Sequence, residues 1–118
     1  MEIVCMQRQH VAQIAALEAA CFSDPWSEGS VAAELDNPLS CWLVCQQDGD
    51  VLGYVGSQTV LDQSDMMNIA VSPQARRRGI AQKLIQALTA QLKARGSRSL
   101  SLLRQTAAGN LAAVLLRQ

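Results

Sequence analysis

Asp65-Met66-Met67-Asn68-Ile69-Ala70-Val71-Ser72-Pro73-Gln74-Ala75-Arg76-Arg77-Arg78-Gly79-Ile80-Ala81-Gln82 is the stretch on which the fold turns, and an amphipathic run continues from it to Leu92. Met66 to Val71 is apolar on both faces, as in a strand covered on both sides. Pro73 bars its continuation. A short loop then leads to a basic glycine turn, and a helix opens on that turn. The first turn of a helix leaves backbone N–H groups unpaired and carries partial positive charge, so it attracts anions. Three arginines at such a start oppose the macrodipole, an arrangement that makes little sense without an anion. Phosphate is the natural guest of guanidinium groups and turned-in amides.

Beyond the turn, Ala81, Leu84, Ile85, Leu88 and Leu92 share one helix face, while Gln82, Lys83, Gln86 and Lys93 lie largely outside it. Arg95-Gly96 supplies a basic last turn and a glycine cap. Ser99 to Leu103 is the next strand. Strand, helix and strand make a βαβ unit, with a right-handed crossover and parallel strands.

Upstream, Cys41, Leu43 and Cys45 alternate with Trp42 and Val44 along a strand. Gln47-Asp48-Gly49-Asp50 is a hairpin turn, and Val51 to Val60 is the return strand. Gly53 and Gly56 within it mark bulges or close backbone approaches. Leu61 to Ser64 is read as a further turn. Before the meander, Glu2 to Met6 is a short strand and Val11, Ile14, Leu17 and Cys21 form a helical stripe. Asp24-Pro25 ends that helix. Ser27 caps a second one, with Trp26 and Val31 as a hydrophobic staple, and this helix stops at Asn37-Pro38. The whole is a mixed α/β chain in which an antiparallel meander leads into a βαβ unit.

The 118 residues give room for one domain over 1–118. Net charge is zero, so the chain as a whole exerts no pull on nucleic acid or a membrane surface, although its basic residues cluster between Arg76 and Arg104. Four cysteines, at 5, 21, 41 and 45, form no Cys-x-x-Cys pair, and His10 is not spaced to complete a zinc site. They are expected to be reduced and buried. No signal peptide or membrane span is recognised, which makes the expected location cytoplasmic. Gly79 is a lone glycine, which argues against a dinucleotide fold, and no Gly-Lys-Ser/Thr follows it as a P-loop requires.

Strand, Arg76-Arg77-Arg78-Gly79-Ile80-Ala81 and helix together resemble the acyl-CoA-binding motif of the GNAT superfamily of N-acetyltransferases. That motif reads Gln or Arg, two residues, Gly, one residue, then Gly or Ala. Phe22-Ser23-Asp24-Pro25-Trp26-Ser27, Val60-Leu61-Asp62 and Asn68-Ile69-Ala70-Val71-Ser72-Pro73 are similar, in type and spacing, to the ribosomal-protein-alanine N-acetyltransferases. The resemblance covers roughly residues 1 to 102. It implies a GNAT fold, acetyl-CoA as cosubstrate, no metal, and transfer of acetyl to the N-terminal alanine of a ribosomal protein. On the same ground Ile69, Ala70 and Val71 offer backbone groups to the pantetheine arm. Arg76, Arg77, Arg78, Gly79, Ile80, Ala81 and Gln82 hold the pyrophosphate. Asn110 looks like the family asparagine that opens the next helix beside the cofactor.

The likeness fails after residue 102. In the family the strand after this helix ends in Leu-Glu-Val-Arg, and a later helix carries Leu-Tyr-x-x-Leu-Gly-Phe. The glutamate is the usual general base and the tyrosine the general acid. Leu103 stands where the glutamate falls, and no acidic residue follows Asp65. No catalytic residue is therefore assigned. The C-terminus reads as altered and truncated, with a frameshift as the expected cause, since shifted bases for Leu115 to Gln118 can encode Phe-Tyr-Ala. A GNAT fold lacking its last strands leaves Ser99–Leu103 as an uncovered apolar edge, open to self-association. The alternative to an active transferase is a catalytically inactive CoA-binding module or fragment.

Overall fold

A computed structural model describes residues 1–101, 105–106 and 109–110. Strand β1 (Glu2–Cys5) leads through a 3-10 turn at Arg8–His10 into helix α1 (Val11–Cys21), and helix α2 (Glu28–Ala33) follows with a 3-10 extension at Glu34–Asp36. Strands β2 (Ser40–Gln47), β3 (Asp50–Val60) and β4 (Gln63–Val71) form the meander. Helix α3 (Ile80–Ala94) crosses over to β5 (Ser99–Ser101), and two-residue strands β6 (Gln105–Thr106) and β7 (Gly109–Asn110) pair with each other. The main sheet runs β1-β2-β3-β4-β5. Its pairs are antiparallel except β4 with β5, which is parallel. The expected mixed sheet and βαβ unit are present.

The sheet separates two apolar layers. On one face, Leu84, Leu88 and Leu92 of α3 pack on Cys41, Leu43, Cys45, Val55, Met66 and Ile69. On the other, Ile14 of α1 and Val31 of α2 pack on Trp42, Val44, Tyr54 and Ala70. The alternation along 41–45 thus sends cysteines and Leu43 toward α3, and Trp42 and Val44 toward α1 and α2. Trp26 joins the second layer at the mouth of α2, whose cap is Ser27: the Ser30 N–H donates to Ser27 Oγ at 3.1 Å.

Turn chemistry fixes the register. Asp48 and Gly49 both have positive φ (54° and 84°), the pair that a tight two-residue hairpin needs. At the other end of α3, Gly96 (φ 91°) closes the helix: the Ser97 N–H donates to the Leu92 carbonyl at 2.9 Å and the Gly96 N–H to Lys93 at 3.0 Å. Ser97, Ser64 and Thr59 form a hydroxyl chain with 2.7 Å steps, which ties β5 to the β3–β4 turn.

Several expectations need correction. The turn before β4 is shorter than read: Leu61 takes positive φ (59°), and Gln63 and Ser64 already belong to the strand. Asp65 is an exposed residue within β4, opposite Gln58 and Ser101. Cys41 and Cys45 are buried as expected, but Cys5 is exposed at the sheet edge and Cys21 is half-buried. His10 is buried: its Nδ1 accepts the Gln7 N–H at 2.9 Å, which leaves Nε2–H to donate to Gln46 Oε1 at 2.8 Å. Asn110 does not open a helix; it lies in β7, opposite Gln105. Leu103 and Leu115 to Gln118 lie outside the described residues. No helix among the described residues is long and apolar enough to cross a membrane.

Candidate functional site

The C-terminal end of β4 sets the site. Ile69, Ala70 and Val71 are all buried, opposite Val55, Tyr54 and Gly53. Gly53 is needed there: a Cβ on it would meet the Ala70 carbonyl at 2.9 Å and Ile80 at 3.2 Å, so β3, β4 and the start of α3 close together only around a glycine. The ladder between β3 and β4 slips between Gly56 and Ser57. Asn68 faces Gly56, Met66 faces Ser57, and Met67 stands unopposed as a bulge. Strand β5 pairs with β4 over Gln63, Ser64 and Asp65.

Past β4 the chain makes the basic turn. The Ser72 N–H donates to the Leu52 carbonyl at 2.8 Å, and Pro73–Ala75 forms one 3-10 turn. Arg77 (φ 66°) and Gly79 (φ 74°) are both left-handed. For Arg77 that conformation is strained by about 1 kcal/mol. Helix α3 then starts with no side-chain cap and no acidic residue in its first turn. Its first internal bond runs from the Lys83 N–H to the Gly79 carbonyl at 3.1 Å, so the amides of Ile80, Ala81 and Gln82 precede the ladder. A Cβ on Gly79 would meet nothing within 4 Å, so the space beside this residue is open.

The arginines divide their work. Arg76 turns back, donating from Nε to the Val71 carbonyl at 3.2 Å and from Nη2 to Cys21 Sγ at 3.6 Å. Arg78 reaches Gln47 Oε1 at 3.4 Å. All three are exposed, and none has an acidic partner among the described residues. An anion of two or more phosphate oxygens fits this donor set: three helix-start amides, two left-handed residues and uncompensated guanidinium groups. The residues expected to hold a CoA pyrophosphate and pantetheine arm, Ile69 to Val71 and Arg76 to Gln82, are thus brought together at one end of the sheet. Asn110 lies in β7, which pairs with β6.

Sequence reasoning missed the polar centre beneath this edge. Glu18 of α1 is completely buried. Its Oε1 accepts the Trp26 N–H at 2.9 Å, and its Oε2 accepts from the Tyr54 hydroxyl and from Asn68 Nδ2. Burial, the Glu18 hydrogen bond and the Glu18 charge together push Tyr54 far above the ordinary tyrosine range. The Tyr54 ring stacks on Trp42 (5.9 Å, 9°), and Trp42 meets Trp26 at 5.4 Å. One signal was available: Glu18 lies four residues after Ile14 and seven after Val11, on the buried stripe itself.

Residues 11–116 match the Acetyltransferase (GNAT) family. The chain is 33% identical over 101 residues to the ribosomal protein bS18-alanine N-acetyltransferase of Escherichia coli (strain K12), covering 85% of this chain and 66% of that protein. It is 36% identical over 83 residues to the enzyme of the same name from Haemophilus ducreyi, covering 68% of this chain and 54% of that one. The chain therefore spans less than two thirds of the length of these relatives. The crystal structure of the Escherichia coli ribosomal-protein-S18-alanine N-acetyltransferase superposes with a TM-score of 0.76 at 26% identity, over 84% of this chain and 63% of that one. An aminoglycoside 6'-N-acetyltransferase complexed with coenzyme A shares the fold alone, with a TM-score of 0.75 at 18% identity over 85% of this chain and 59% of that one. With the family match running from α1 past the end of the described sheet, this chain belongs to the Acetyltransferase (GNAT) family.

Proposed function

We propose that the chain binds acetyl-CoA along the end of β4 and in the Arg76–Gln82 turn, and transfers acetyl to the N-terminal alanine of a ribosomal protein. The observation that carries the cofactor half is the left-handed pair Arg77 and Gly79 at an uncapped helix start. Strain of this kind persists where a bound group uses it. In this reading the amides of Gly79 to Gln82 and the side chains of Arg77 and Arg78 surround the pyrophosphate. Arg76 braces the end of β4, and the backbone of Ile69, Ala70 and Val71 lies along the pantetheine arm. Bound acetyl-CoA supplies an activated thioester for attack by a neutral amine. The acceptor half rests on the names of the relatives.

The family's usual base is replaced by Leu103. Positioning alone then drives transfer, at a rate lowered by about 10²- to 10⁴-fold for each missing proton-transfer group. That substitution also favours a second reading, a CoA-binding module without turnover. Calorimetry with CoA, followed by an acetyl-CoA assay on a peptide beginning with the alanine of bS18, separates them. Saturable heat with slow acetylation is the expected result. Heat without acetylation supports the module, and absence of heat removes both.

A further inference from the structure

We propose that Glu18 is a positioning residue that couples the segment before α2 to the bulged strand β4, so that filling the acyl-CoA site orders the surface beside it. The inference rests on the CoA reading above. A carboxylate this deeply buried is costly unless every oxygen is used, and among the described residues no salt bridge to Glu18 shares the cost. Its partners are three neutral donors on three different elements: the Trp26 backbone, the Tyr54 hydroxyl of β3 and the Asn68 amide of β4. Merely filling the α1 stripe would be served by an aliphatic residue, as at Val11 and Ile14. Only a carboxylate accepts from three donors at once.

The placement of those partners gives the link its direction. Asn68 directly follows the bulge residue Met67 and directly precedes Ile69, where the proposed pantetheine segment begins. Trp26 is half-buried, its ring against Trp42, and its amide is the last before the α2 cap. Two hydrogen bonds through one carboxylate therefore join the acyl-CoA strand to the loop over the neighbouring face. When β4 is held by a ligand, Asn68 loses freedom, and Glu18 passes that restriction to Trp26.

Hydrogen exchange of the full chain, with and without CoA, tests this. CoA is expected to slow exchange at the Trp26 amide severalfold. In Glu18→Ala the slowing is expected to vanish while the calorimetric Kd for CoA stays within about threefold of the parent. In Glu18→Gln, whose single carbonyl oxygen cannot serve both Trp26 and Asn68, it is expected to fall by at least about half. Tyr54→Phe keeps both of those bonds and is expected to keep the slowing. The coupling is overturned if CoA binds the parent without slowing Trp26, or if Glu18→Gln behaves as the parent. Loss of slowing in Tyr54→Phe overturns it too, because general loosening would then explain every variant. Should Glu18→Ala not fold, Glu18→Gln and Tyr54→Phe decide the matter. No heat with CoA in the parent instead marks failure of the cofactor reading, and the coupling falls with it.

Discussion

The indole of Trp42 lies over Gly56, its partner directly across the β2–β3 ladder, so closely that a Cβ on Gly56 would sit 2.3 Å from Trp42 Cε2. The ring occupies the space that any side chain would need. Trp42 is also held by its Nε1–H, which donates to Glu34 Oε1 at 3.2 Å, and by stacking on Tyr54, so it has little room to move. Gly56→Ala is therefore expected to cost about 2–3 kcal/mol by overpacking. Thermal melting reads this as a drop of several degrees or more, and an unchanged midpoint would show that the sheet accommodates the methyl group.

At the basic turn, stability and binding are expected to part. Arg77 carries its side chain at φ 66°, a conformation that glycine adopts without strain. Arg77→Gly is expected to raise or hold the melting temperature, with relief of about 1 kcal/mol. The same change removes one charge-assisted contact to the proposed pyrophosphate, so affinity for CoA is expected to fall about tenfold. Parallel melting and calorimetry check both signs. Unaltered affinity would take Arg77 out of the phosphate site.

The cap of α2 offers a simpler test. Ser27 Oγ accepts the Ser30 N–H in an exposed setting, and α2 is only six residues long. Ser27→Ala is expected to cost about 1 kcal/mol. Hydrogen exchange should show the loss locally, over Glu28 to Ala33, with the β2–β3 amides unchanged.

How much the sequence disclosed depends on how local the determining physics is. Asp48-Gly49, Ser27 and Gly96 announce their structures because a positive φ or a capping hydroxyl is a property of one or two residues. The α3 stripe and the 41–45 alternation are legible for the same reason, since period alone assigns the face. The strand, the basic glycine turn and the helix opening on it were legible, but the recruitment of Arg76 by Val71 and Cys21 was not, because it depends on where the end of α1 lands. Glu18 was missed on that account too. Its partners are eight, 36 and 50 positions away, and only the packed sheet assembles them. Asn110 was misplaced because the motif that suggested a helix had already departed from its family pattern by that point.

Alkaline pH should expose the buried acids of the sheet. Burial raises Cys41 above the ordinary thiol value of 9.0; Arg95 opposes the shift and Cys5 adds to it. Burial also raises Cys45, opposed by the N-terminal amine, Lys83 and Arg78. Tyr54 is raised from 10.0 by burial first, then by its bond to Glu18. In each case the folded chain holds a proton that the unfolded chain releases. The stability these groups contribute is thus complete below about pH 9 and is lost as pH rises past the unfolded values. The slope approaches about 1.4 kcal/mol per pH unit for each group ionised only in the unfolded state. Urea melts from pH 8 to 11 are expected to show a decline that begins near 9 and steepens above 10. Tyr54→Phe should lower stability at pH 8 by about 1–3 kcal/mol, because Glu18 loses a donor, yet flatten the profile above pH 10. A Tyr54→Phe profile as steep as the parent's would mean that the Tyr54 proton is not held by the fold.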